Sequence, residues 1–146
     1  MNRKSASVYH GKDAFYVHSN AQTKAGFWIA HGFFKVLPIA EPLDAVVSAC
    51  REALSNSVHG VATPTDFKLL SATTVVAFGL KNRTVLDRQS ILCELDLDDS
   101  RVRIMPTKKD GKRNFLHLPS EAIEFEWDAP MEVFSEALMT NLKKCS

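Results

Sequence analysis

Residues 92–115 read LCELDLDDSRVRIMPTKKDGKRNF and hold the densest run of groups able to do chemistry. Glu94, Asp96, Asp98 and Asp99 supply four carboxylates, and the basic stretch Lys108-Lys109-Asp110-Gly111-Lys112-Arg113 follows closely. Such a stretch can hold a metal, grip a phosphate backbone, or present charge to another protein. A calcium loop of the EF-hand type needs a glycine after alternating acids and a glutamate at its twelfth position. Neither is present here. A divalent-metal nuclease site needs carboxylates converging from several elements. Glu124 and Glu126 are the nearest candidates, and nothing in the spacing fixes their geometry.

The remaining chemical groups are sparse. His10, His18, His31, His59 and His117 lack zinc-site spacing. His10 and His18 are the one pair placed to act as acid and base, against the simpler reading of hairpin histidines. No G-x-S-x-G, P-loop or G-x-G-x-x-G occurs, and no cysteine sits beside a plausible base. No catalytic residue, cofactor or metal is expected, and the chain does not read as an enzyme. Cys50, Cys93 and Cys145 are an odd, widely spaced set. They read as free thiols of a reducing cytoplasm.

At 146 residues the chain is expected to form one domain, residues 1–146, with a core that needs no disulfide or metal. The 45% apolar and 24% charged content is that of an ordinary globular protein. No apolar run is long enough to span a membrane, and the basic N-terminus lacks the apolar stretch of a secretory signal. Charge is uneven. Residues 1–40 carry five basic and one acidic side chain, whereas residues 41–100 carry five and nine. A general nucleic-acid binder would show a basic excess throughout. Single-stranded nucleic-acid binding is the second reading, with Phe27, Trp28, Phe33 and Phe34 as stacking groups, although their density equally suits a core.

The elements that must position these groups follow from periodicity. Residues 6–9 and 14–18 predict a hairpin around Gly11-Lys12-Asp13, and residues 26–37 a strand broken or bulged near Gly32. Leu43, Val46, Val47, Cys50 and Leu54 recur at helical spacing over 42–56, with Pro42 in the first turn. Residues 58–66 read as a loop. Residues 67–87 fit strand or helix, with a short helix packing Leu80, Val85 and Leu86.

Beyond residue 89 the period is two. Ile91, Cys93, Leu95 and Leu97 point inward, and the acids are expected on an open, solvated face. Val102 and Ile104 face inward on the next strand, with Arg101 and Arg103 outward beside the acids. Asp110-Gly111 signals a hairpin. NFLHLP and AIEFEWD then complete an antiparallel meander over 89–127, the second placing Ile123, Phe125 and Trp127 against Glu124 and Glu126. A closing helix spans 129–143, capped by Asp128, with Met131, Phe134, Leu138 and Leu142 as its stripe. The expected fold class is α+β: an antiparallel sheet, meandering in its C-terminal half, packed by two amphipathic helices. The acidic stretch is read as the exposed edge of the meander, joined to its neighbours by the basic turn.

Several short motifs, in order, resemble the immunity proteins of bacterial contact-dependent growth inhibition (CdiI). They are Gly60, Val61 and Pro64 after the first helix; Gly79, Leu80 and Lys81; Ile104, Met105 and Pro106 at a strand end; the Asp110-Gly111 turn; and the acidic strand leading to the closing helix. The resemblance runs over residues 41–142 and leaves out residues 1–40. It implies a cytoplasmic bacterial protein that binds the C-terminal toxin domain, commonly a nuclease, of a cognate CdiA effector. It implies no catalytic residues, no direct nucleic-acid binding and no membrane association. Contact residues in the family follow the cognate toxin, so charge alone nominates Glu94, Asp96, Asp98, Asp99, Glu124 and Glu126 as the partner-binding surface.

Overall fold

The computed structural model describes residues 3–111 and 114–146. Eight strands form one twisted layer: β1 (Lys4–His10), β2 (Ala14–Thr23), β3 (Trp28–Pro38), β4 (Val58–Val61), β5 (Ile91–Asp98), β6 (Arg101–Asp110), β7 (Asn114–His117) and β8 (Ile123–Glu126). The helices are α1 (Leu43–Ser55), α2 (Phe67–Ala77), α3 (Thr84–Asp87) and α4 (Met131–Lys144). The sheet order is β3-β2-β1-β5-β6-β7. Every pairing is antiparallel except β2 with β4. The α+β architecture is that expected from the periodicity.

Alternation along the central strands separates two faces. Ala6, Val8, Val17, Cys93, Leu95, Val102 and Ile104 are fully buried beneath α1 and α4. α1 contributes Val46, Val47, Cys50 and Leu54, with Leu43 partly buried at its start. α4 contributes Phe134 and Leu138, with Met131 and Leu142 partly buried beside them. Burial of this apolar area is the main stabilising term. Arg51 ties the two helices together. It donates to the carbonyls of Trp127 (2.6 Å) and Ala129 (3.0 Å), and its guanidinium lies over the Trp127 and Phe134 rings.

Four expectations are revised. First, β5 is no edge: it lies between β1 and β6, because the N-terminal hairpin inserts beside it in full register from Lys4↔Leu97 to His10↔Ile91. Second, β8 does not follow β7 in the meander. It returns to the Arg101–Ile104 half of β6, while β7 pairs with the Thr107–Asp110 half. Third, Val58–Val61 is a strand, not loop. Its backbone pairs with Ala21–Thr23 of β2, beyond the residue paired with Ser5 near the start of β1, so an open sheet edge rather than side-chain pattern decides it. Fourth, the cap of α4 is Pro130, not Asp128. The residue before a proline is pushed out of the helical region, so the helix starts only beyond it.

Elsewhere the readings resolve. The bulge near Gly32 is real: the β2–β3 register jumps from His18↔Phe34 to Asn20↔Ala30, and Gly32 sits at φ +89, open to glycine without strain. Residues 67–77 are helix because the Asp66 carboxylate accepts from Leu69 N (3.0 Å) and caps the first turn. Leu80, Val85 and Leu86 pack together as expected, with Leu86 fully buried. The Asp110-Gly111 turn follows β6, but Lys112 and Arg113 of the basic stretch lie outside the described residues. The C-terminal tail joins β6 through Lys109 N–H to Ser146 O (2.9 Å) and Ser146 N–H to Thr107 O (3.2 Å). That placement brings two cysteines far apart in sequence together: Cys93 and Cys145 are free thiols with sulfurs 3.3 Å apart.

Candidate functional site: a polar sheet face under a cavity

The face turned away from α1 and α4 is built from the other half of the alternation. Ser5, Ser7 and Tyr9 of β1 stand beside His18 and Asn20 of β2, and beside Glu94 and Asp96 of β5. The rungs continue across β6 and β8 as Asp96–Arg103–Glu124 and Asp98–Arg101–Glu126. All these side chains share one face, because cross-strand partners in register point the same way. The acidic residues other than Asp99 therefore belong to one surface, but the structure divides that surface in two.

The first part is half-enclosed. A cavity of about 530 Å³ lies over the β1–β2–β5 segment. α2 walls it through Phe67, Leu70, Ser71 and Thr74, and the start of β3 through Phe27, Trp28, Ile29 and Ala30. α2 takes this position without a stripe of its own. Its apolar residues are spread round the helix rather than gathered on one side, so Leu69 and Val76 remain 64% and 76% exposed. Two residues named for base stacking, Phe27 and Trp28, stand on the cavity wall. Phe27 packs on Phe67 (5.8 Å), and Trp28 meets His59 edge-on (5.4 Å). Phe33 packs on the main core and Phe34 against His18 and Phe78.

The cavity floor is a hydrogen-bonded network. Asn20 Nδ2 donates to Ser5 Oγ and Ser7 Oγ, both at 3.0 Å. Ser7 Oγ in turn donates to the Glu94 carboxylate at 2.9 Å. Asp96 meets Arg3 at 2.7 Å. Arg83 meets Asp87 at 3.1 Å and lies 3.5 Å from the Tyr9 hydroxyl. Burial pushes the Glu94 carboxyl up to about 8; the Ser7 hydrogen bond opposes this and the Asp96 charge reinforces it. Burial likewise lowers His18 to about 4, with its Nδ1–H donating to Ser19 O at 3.0 Å, and raises Tyr9 well above the ordinary phenol.

The second part is open. Glu124 and Glu126 are exposed on β8 and both meet Arg101, at 3.7 and 3.0 Å. Asp98 and Asp99 are exposed at the β5–β6 turn, where Asp99 adopts φ 55. The expected cross-strand match of arginines with β5 acids is thus realised in register, while the ion pairs form with β8. The open, solvated strip expected for the β5 acids Glu94, Asp96 and Asp98 is corrected at Glu94 and Asp96, which are partly buried in the cavity.

His10 and His18 do not meet as an acid–base pair. His10 stacks on Phe15 (4.4 Å) on the opposite face, and His18 is buried among Tyr9, Phe34 and Phe78. Among the described residues, no three His, Cys, Asp or Glu side chains are grouped as metal ligands, and no helix is long and apolar enough to cross a membrane. Sequence reasoning missed Ser5, Ser7, Tyr9 and Asn20. The signal was present in KSASVYH, where Ser5, Ser7 and Tyr9 alternate with Ala6 and Val8.

No family model matches this sequence, and no curated protein sequence matches it significantly. Solved structures do share its fold. A protein of unknown function from Neisseria meningitidis superposes with a TM-score of 0.80 at 15% identity, covering 99% of this chain and 96% of its own. A chain of the CdiA-CT/CdiI toxin and immunity complex from Yersinia pseudotuberculosis also superposes with a TM-score of 0.80 at 15% identity, covering 100% and 99%. At that identity the likeness establishes the fold.

Proposed function

We propose that this chain is an immunity protein of contact-dependent growth inhibition. It binds the C-terminal toxin domain of a cognate CdiA effector in the bacterial cytoplasm and neutralises it without catalysis. The observation that carries this reading is the end-to-end fold likeness to a chain of a toxin and immunity complex. The order of motifs from Gly60 to the acidic β8 supports it independently.

The polar sheet face is the surface proposed to meet the toxin. Glu94 and Asp96 lie inside the cavity, and Asp98, Asp99, Glu124 and Glu126 stand beyond it. Acids in this arrangement complement the basic cleft of a nuclease, and charge complementarity sets association rate and partner choice. A specific complex buries about 1,200–2,000 Å² in total. Exposed acids already paired to Arg101 contribute little singly. The single-stranded nucleic-acid reading stands second: Phe27 and Trp28 are accessible at the cavity, but they flank acids that repel phosphate.

The test is co-purification with the C-terminal region of the polypeptide encoded immediately upstream. The expected result is a one-to-one complex that abolishes that domain's toxicity. Absence of a complex, together with steeply salt-dependent oligonucleotide binding, overturns the immunity reading in favour of the nucleic-acid module. A complex whose affinity survives neutralisation of all six acids removes the surface assignment.

A further inference from the structure

Four charged side chains line the cavity: Arg3, Arg83, Glu94 and Asp96. Arg3 and Asp96 pair with each other, and Arg83 pairs with Asp87. Among the described residues Glu94 has no cationic partner. Its hydrogen bonds come from Ser7 alone, whose hydroxyl has one proton for two carboxylate oxygens. A partly buried carboxylate without a counter-charge carries a desolvation cost, and a cation entering the cavity offsets it. Phe27, Phe67 and Leu70 give the same cavity an apolar wall. A cavity that combines an apolar wall with a carboxyl lacking a counter-charge fits a long side chain with a methylene stem and a cationic head.

We infer that the cavity receives an arginine or lysine side chain of the toxin, its stem against Phe27, Phe67 and Leu70 and its head paired with Glu94. This rests on the proposed immunity function and names the chemistry of that contact. The cavity, at about 530 Å³, is larger than one long side chain, so neighbouring residues of the toxin segment fill its mouth.

Pairing with a cation requires the ionised carboxylate, so binding is linked to loss of a proton from Glu94. The charged and titratable groups facing it are Arg3, Tyr9, His18, Arg83, Asp96 and His117. Because these groups share the cavity, the proton must be assigned by comparison with Glu94→Gln.

The experiment is calorimetric titration with the toxin domain at pH 7 and pH 9.5, in buffers of different ionisation enthalpy. Wild-type protein is expected to release close to one proton at pH 7 and almost none at pH 9.5. Glu94→Gln is expected to lose the pH 7 release and to weaken binding by about 30-fold or more. A tight wild-type complex with no proton release at pH 7 overturns the inference and leaves the immunity reading standing; this arm needs no variant. Failure of wild-type protein to bind at all removes the immunity reading and the inference together.

Discussion

Ser7 Oγ donates to the Glu94 carboxylate at 2.9 Å across the β1–β5 rung, joining residues 87 apart in sequence. That hydroxyl is itself held by Asn20. Among the described residues, Ser7 is thus the one side chain that donates to Glu94, and it is a neutral donor.

This sets an alkaline limit on stability. Glu94 is raised to about 8 in the folded chain from an ordinary 4.5, so the folded state holds a proton that the unfolded state has lost. Stability consequently falls as pH rises through that window. Glu94→Gln is expected to match wild type near pH 4.5. Its advantage grows to on the order of 2–4 kcal/mol by pH 9, at the lower end where cavity water reaches the carboxylate. Urea unfolding at the two pH values checks this, and parallel pH profiles for the two proteins contradict it.

His18 sets the acid limit. Its folded value of about 4 lies below the ordinary 6.5, so the unfolded chain binds a proton that the folded chain refuses. Stability is present above pH 6.5 and is lost as pH falls toward 4, by on the order of 2–3 kcal/mol. His18→Phe keeps the aromatic packing with Tyr9, Phe34 and Phe78 and is expected to flatten this limb. A melting temperature measured from pH 4 to 7 gives the slope for both proteins.

Arg51 is expected to behave as a structural clamp. Its two carbonyl acceptors and two ring faces demand a planar, forked cation. Arg51→Ala is expected to cost about 2–4 kcal/mol, and Arg51→Lys to recover less than half of that. Full recovery by lysine in chemical denaturation would show that charge alone is what α4 requires.

The thiols should separate by reactivity. Cys50 is fully buried and pushed up to about 12 by desolvation, and Cys93 is fully buried against Cys145. Cys145 is partly exposed and lowered, first by the hydrogen bond with Cys93. Iodoacetamide is expected to label Cys145 in the native protein, and Cys50 and Cys93 only on unfolding. Peptide mass spectrometry would reveal native labelling at Cys50 or Cys93 if the tail frays from β6.

Local pattern was enough for much of the scaffold. The helical spacing from Leu43 to Leu54 and from Met131 to Leu142 placed α1 and α4, and alternation from Ile91 to Leu97 named the buried face of β5. Each is a property of neighbouring residues facing one environment, and so is legible in the chain. Tertiary structure decided what the other face became. β1 joined the open side of β5, and α2, with no stripe to seat it on the main core, came to wall the polar face instead. These long-range placements turned Glu94 from one acid in a solvated row into a partly buried carboxyl of the cavity. Periodicity records which side of a strand a residue occupies; only the elements packed against that side determine whether it meets water.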